Sequence, residues 1–180
     1  MKNTTSKTNS RLYRRLVGEL RQIKQCKNSD NMNELCGIEI NPTDDMMIWI
    51  AKIKGPDNSP FENGVYDILI RFNEDYPIKP PSVRFLDPSK IYHPNIYRDG
   101  KICVDILQGQ WAPVLNVVKV LISLRSLLED PNPNSPANRD AANNYVNDRD
   151  KYNEIVRSCL SKKSKTSDSY VIKSLESLNI

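Results

Sequence analysis

The chain has 180 residues, 38% of them hydrophobic, which suits one compact domain with its own core and is too short for two of ordinary size. Lys+Arg 26 against Asp+Glu 22 leaves a formal charge of +4, too mild a balance for a dedicated nucleic-acid binder. No apolar run approaches the roughly 18–20 residues of a membrane helix, and the opening MKNTTSKTNS lacks a secretory apolar stretch, so neither a membrane-spanning nor an exported protein is expected.

Residues 1–10 are polar and are expected to be loose, with Ser10 as the cap of a first helix. Leu12, Leu16, Leu20 and Ile23 form its apolar stripe, and Arg11, Arg14, Arg15, Arg21 and Lys24 occupy the other faces. A series of strands is read next, over 35–40, 46–54, 65–72 and 82–86. In the third, Tyr66, Ile68, Ile70 and Phe72 alternate with Asp67 and Arg71, the pattern of a half-buried antiparallel strand. Asn41-Pro42 and the prolines of Tyr76-Pro77-Ile78-Lys79-Pro80-Pro81 break the chain between strands.

Residues 87–114 have no periodic pattern, and a loop that long in a compact domain is usually functional. Asn116 then caps a helix to Glu129 that is apolar on most sides and reads as the central buried one, stopped by Pro131 and Pro133. Two further helices follow, over 138–145 and from Asp148 or Asp150 to Leu160. After Ser161 the chain turns Ser/Lys-rich, and 170–180 reads as either a short helix or a disordered tail. Helix, four sequential strands, long loop and three helices make an α+β fold with an antiparallel meander. The domain is placed at 11–161, between a flexible N-terminus and a C-terminal extension over 162–180.

Chemistry concentrates in the long loop. The cysteines Cys26, Cys36, Cys103 and Cys159 form no Cys-x-x-Cys pair, and with only one histidine no zinc site is expected. Without a signal sequence, free thiols in a reducing compartment are the default. Cys103 follows His93-Pro94-Asn95 by eight residues. A nucleophilic Cys commonly relies on a His base, and His93 is the one available. A side-chain amide such as that of Asn95 can donate to an oxyanion. The residues alone therefore offer acyl transfer through a thioester, with no sure base.

The motifs Tyr76-Pro77-Ile78-Lys79-Pro80-Pro81, His93-Pro94-Asn95, Gly100-Lys101-Ile102-Cys103-Val104-Asp105-Ile106-Leu107, Gln110-Trp111-Ala112-Pro113 and Asp130-Pro131-Asn132-Pro133 closely resemble the ubiquitin-conjugating enzymes in order and spacing. The resemblance runs from about Leu12 to Leu160 and implies that family's fold. It implies that Cys103 accepts ubiquitin's C-terminal carboxylate from an activating enzyme as a thioester. A ligase, of the RING or HECT type, then brings a protein substrate whose lysine attacks it. No bound cofactor or metal is implied, because the activating enzyme spends the ATP. Asn95 would stabilise the oxyanion or hold the loop; His93 and Pro94 would be structural. Asp105 would orient the incoming amine or merely cap a turn. The resemblance further implies partner surfaces: Arg14 and Arg15 for the activating enzyme, Ile78, Trp111 and Pro113 for the ligase, and Leu115, Ile122 and Ser126 for the carried ubiquitin.

Two departures stand out. Asp87-Pro88 looks like an insertion, and Ser135 stands where many members carry an Asp at the mouth of the site, a pattern similar to the histone- and degradation-linked branch. Competing readings are a carrier of a ubiquitin-like modifier (NEDD8 or SUMO type) and a non-catalytic ubiquitin binder. A monomer in the cytoplasm or nucleus is expected, with no membrane or nucleic-acid partner.

Overall fold

The computed structural model describes residues 4–28 and 37–161, with the side chains of 4–10 and 27–28 left aside. The elements are α1 (Thr4–Asn28), β1 (Ile38–Pro42), β2 (Ile48–Lys54), β3 (Val65–Arg71), β4 (Ser82–Phe85), α2 (Val117–Glu129), α3 (Arg139–Asn147) and α4 (Arg149–Leu160). The strands form one antiparallel sheet in the order β1-β2-β3-β4, the expected meander. No helix among the described residues is long and apolar enough to cross a membrane.

Strand register follows the alternation in the sequence. Ala51 pairs with Ile68, Ile53 with Tyr66, and Ile70 with Val83, so one face of the sheet carries a continuous apolar layer. Against it lies α2, whose Val117, Val120, Leu121, Leu124 and Leu128 are buried. Leu12, Leu16 and Ile23 of α1 join the same core. At about 25 cal/mol per Å² of apolar area, this layer supplies most of what opposes chain entropy. The opposite sheet face keeps a small cluster of Ile48, Leu69 and Leu86.

Several boundaries differ from expectation for identifiable reasons. Helix α1 runs back to Thr4, into the segment expected to be loose, since no Gly or Pro precedes Ser10 to stop it. β1 continues through Asn41 to Pro42, because β1 is an edge strand, where a missing N–H is tolerated. Met46 and Met47 lie in the preceding turn, where Asp45 Oδ1 accepts the Met47 N–H at 2.8 Å, so β2 starts at Ile48. Ser10, expected to cap α1, lies inside it, whereas two other expected caps are in place: Asn116 accepts from Lys119 N–H at 2.9 Å and Asp148 from Lys151 N–H at 3.1 Å. Asn138 caps α3 rather than forming its first turn. Residues 29–36, with the start of the first expected strand and Cys36, and the extension 162–180 lie outside the described residues.

Candidate active site

The segment 93–103 is a flap folded onto β4. Phe85 N–H donates to Gly100 O at 2.9 Å, Arg84 bridges to Lys101, and Ile96 bridges to Ile102. The reversal is made at Gly100, whose φ is +85; a Cβ there would also sit 2.4 Å from Phe85 O. This turn returns the chain beside Asn95, and Cys103 N–H donates to Asn95 O at 2.9 Å.

His93 is fully buried. Its Nδ1 accepts the Asn95 N–H at 3.0 Å, so Nε2 carries the proton and donates to Leu127 O at 2.8 Å. Burial pulls its pKa down to about 4, against the opposing effect of the Leu127 carbonyl. Both ring nitrogens are therefore engaged with backbone, and the ring is neutral near pH 7. His93 is a turn lock joining the flap to α2, with neither ring nitrogen free to act as a base.

Asn95 is 2% exposed. Its amide pairs with the backbone of Asn132 in both directions: Nδ2 donates to Asn132 O at 2.7 Å and Oδ1 accepts the Asn132 N–H at 2.8 Å. The remaining bond, Nδ2 to Ser135 O, is long at 3.4 Å. Of the two roles open to Asn95, this geometry displays loop-holding. The long bond is the one an oxyanion can replace without breaking the Asn132 pair.

Cys103 is half-buried and opens into a cleft of about 300 Å³ lined by Asn95, Asp105, Gln108, Leu127, Asn132 and Ser135. Gln108 Nε2 is 3.8 Å from Cys103 Sγ, a weak contact on the reacting atom that the sequence did not flag. Asp105 is exposed and begins a 3₁₀ turn, Asp105–Leu107, whose cap position is Val104; Asp105 Oδ1 accepts the Ile106 N–H at 2.8 Å, a local bond within the turn. Ser135 is exposed at the same cleft, where its motif placed it. The structure thus brings Cys103, Asn95, Asp105 and Ser135 together.

The residues expected to meet partners fall in three places. Ile78 is 76% exposed and Val114 83%, with Pro113 exposed beside it. Trp111 ties these loops together by donating its Nε1–H to Pro77 O at 2.8 Å. Val114 went unnoticed because a single exposed valine leaves no periodic signal. Ile122 and Ser126 line a groove of about 610 Å³ with Lys119 and Glu129. Leu115 is absent from that lining, and its carbonyl instead accepts from Arg15 Nη2 at 2.6 Å. Arg15, expected on an outward basic face, turns inward, while Arg14 is exposed.

The ubiquitin-conjugating enzyme family model matches residues 15–160. Over 114 residues the chain is 51% identical to "Ubiquitin-conjugating enzyme E2 2" of Mycosarcoma maydis, a match covering 63% of this chain and 59% of that protein. Over 145 residues it is 42% identical to "Ubiquitin-conjugating enzyme E2 1" of Caenorhabditis elegans, covering 80% of this chain and 71% of the relative. Among solved structures it is similar to the H. polymorpha ubiquitin-conjugating enzyme Pex4p, crystallised in complex with the soluble domain of Pex22p: TM-score 0.76, 31% identity, 83% of this chain and 96% of that one. The fold, the flap bearing Cys103 and these matches agree: the chain belongs to the ubiquitin-conjugating enzymes, a family of transferases that work through a cysteine thioester.

Proposed function

We propose that this chain carries ubiquitin as a thioester on Cys103 and passes it to substrate lysines. The supporting observation is the position of Cys103: a half-buried thiol in an open cleft, beside a wall of buried, hydrogen-bonded polar groups. In charging, the Cys103 thiolate attacks the activating enzyme's thioester carbonyl and that enzyme's cysteine leaves as thiolate. In discharge, a lysine amine attacks the new thioester carbonyl, loses a proton and expels the Cys103 thiolate. A thioester has a good leaving group, so the second step depends on an unprotonated amine rather than on activating the sulfur. His93 is not the proton acceptor, because its basic nitrogen is occupied and its pKa is low. The groups facing the incoming amine are Asp105 and Ser135, of which only Asp105 carries charge. Asn95 Nδ2 stabilises the tetrahedral oxyanion by exchanging its long bond to Ser135 O.

The same reading assigns the exposed Ile78, Pro113 and Val114, held by Trp111, to a RING or HECT ligase. It assigns the α1 surface at Arg14 to the activating enzyme, and the groove at Ile122 and Ser126 to the carried ubiquitin. The chain acts as a monomer in cytoplasm or nucleus, with ATP consumed by the activating enzyme and no cofactor of its own.

The test is charging with ubiquitin, NEDD8 or SUMO, each with its own activating enzyme and ATP. A thiol-sensitive adduct with ubiquitin alone is expected. Charging by another modifier alone would reassign the cargo, and no adduct with any would leave a binding module.

A further inference from the structure

A second polar cluster lies away from the cleft, under the two apolar loops. Glu19, on α1, is 4% exposed and so is almost wholly removed from water. Its Oε1 accepts from Arg15 Nε at 2.7 Å and from the hydroxyl of Tyr76; its Oε2 accepts the N–H of Val117, the first residue of α2, at 2.9 Å. Arg15 passes the link on, donating Nη2 to Leu115 O at 2.6 Å while its guanidinium lies 5.6 Å from the Tyr76 ring centre. Tyr76 immediately precedes Pro77-Ile78, and Leu115 immediately follows Pro113-Val114. One carboxylate therefore holds the base of both loops that carry the exposed apolar residues. The loops are tied by the bond from Trp111 Nε1–H to Pro77 O and by the contact of the Tyr76 and Trp111 rings, 5.9 Å between centres.

A buried ion pair is weak support for stability, since desolvation offsets much of its attraction. Here its geometric effect is clear: three donors from α1, the proline loop and α2 converge on one planar group, and each charge-assisted bond fixes direction as well as distance. The positive end of α2 adds to the attraction. An apolar pair of the same size fills the space but leaves the Val117 N–H and the Tyr76 hydroxyl unpaired and the two loops free to slide.

We propose that Glu19 is a positioning residue that sets the register of the Pro77-Ile78 and Pro113-Val114 loops, and thereby the affinity of the ligase surface they form. The ligase clause rests on the function proposed above; the register clause does not.

Two variants test it in the full chain. Glu19→Gln is nearly isosteric but cannot accept from all three donors, and Tyr76→Phe removes one donor and leaves the ring packing. The first readout is hydrogen exchange of the Trp111 indole N–H, expected to speed up roughly tenfold or more in both variants while the amides of β2 and β3 keep wild-type protection. The second is the concentration of a RING domain giving half-maximal stimulation of lysine discharge, expected to rise roughly tenfold, with ligase-free discharge unchanged. Ile78→Ala, acting on the surface itself, is the control. Wild-type exchange at Trp111 in folded Tyr76→Phe would overturn the register claim, whether or not Glu19→Gln folds. If exchange rises and Ile78→Ala weakens stimulation while Glu19→Gln and Tyr76→Phe do not, the link to affinity is wrong. If Ile78→Ala has no effect, the ligase assignment fails and the register claim is decided by exchange alone.

Discussion

The two walls of the cleft are built on opposite plans. On one side, His93 and Asn95 are buried, and their side-chain bonds reach α2 and the Asn132 backbone. On the other, Asp105 and Gln108 are exposed, and the backbone bonds are local, with Gln108 and Gln110 N–H both donating to Asp105 O. A group that must stabilise a transient charge gains from being fixed beforehand, because no reorganisation is then needed at the moment of reaction. A wall that admits varied lysines gains from being open. The cleft pairs a rigid electrostatic side with an adaptable entry side, and Cys103 sits on the seam.

Breaking the rigid wall should have the larger consequences. Asn95→Ala deletes the Asn132 pair and an amide donor that lines the cleft with Cys103. Lysine discharge should slow roughly 10²-fold and charging by less, with about 2 kcal/mol lost from unfolding free energy because two hydrogen bonds tying Asn95 to the Asn132 backbone are lost. Single-turnover rates and urea unfolding report the three numbers. Equal slowing of charging and discharge would leave Asn95 with the loop-holding role alone.

His93 sharpens the contrast through pH. Its folded pKa is near 4 against an ordinary 6.5, so the unfolded state takes up the proton first as pH falls. The stability this residue contributes is full above about 6.5 and is lost between there and pH 4, by about 3 kcal/mol. His93→Gln should be less stable at pH 7.5 and show a flatter loss across that window. The pH dependence of discharge above 6.5 should not change, since His93 is neutral throughout. A shifted discharge profile would make it a base after all.

The exposed residues at the mouth of the cleft should respond mildly. Ser135→Asp puts a carboxylate at the mouth of the cleft, where it attracts the incoming ammonium. Discharge to free lysine should rise roughly two- to fivefold, most at lower pH, where amine deprotonation limits. An unchanged rate across pH would mean that Asp105 already supplies the needed charge. Gln108→Ala, which removes only the 3.8 Å contact to Cys103, should shift either rate by no more than about twofold.

How much of this was readable beforehand varied in the same way. Alternation over Tyr66–Phe72 and the cap at Asn116 stood out because period and capping are local properties of the chain. The site motif was legible as a resemblance, and it placed Cys103, Asn95 and Ser135 in one cleft. What stayed hidden were partnerships between distant segments. Glu19 reads as one more charged residue on a helix with many; only the fold brings Tyr76 and Val117 to it. Arg15 looks identical to Arg14 in the sequence, and its inward turn follows from Glu19 one helical turn on. The bonds of Asn95 to Asn132 span 37 positions, beyond any periodicity argument.

The most direct test of the account is which atom holds the cargo. Wild type and the Ala variants of Cys26, Cys36, Cys103 and Cys159 are charged with ubiquitin, activating enzyme and ATP, then resolved by intact mass with and without thiol. Cys103 lies in the open cleft, whereas Cys159 is buried. Loss of the thiol-sensitive adduct in Cys103→Ala alone is predicted, with Cys103→Ser giving an ester that survives thiol. A thiol-sensitive adduct retained by Cys103→Ala would contradict the assignment of the seam, and with it the division of labour between the two walls.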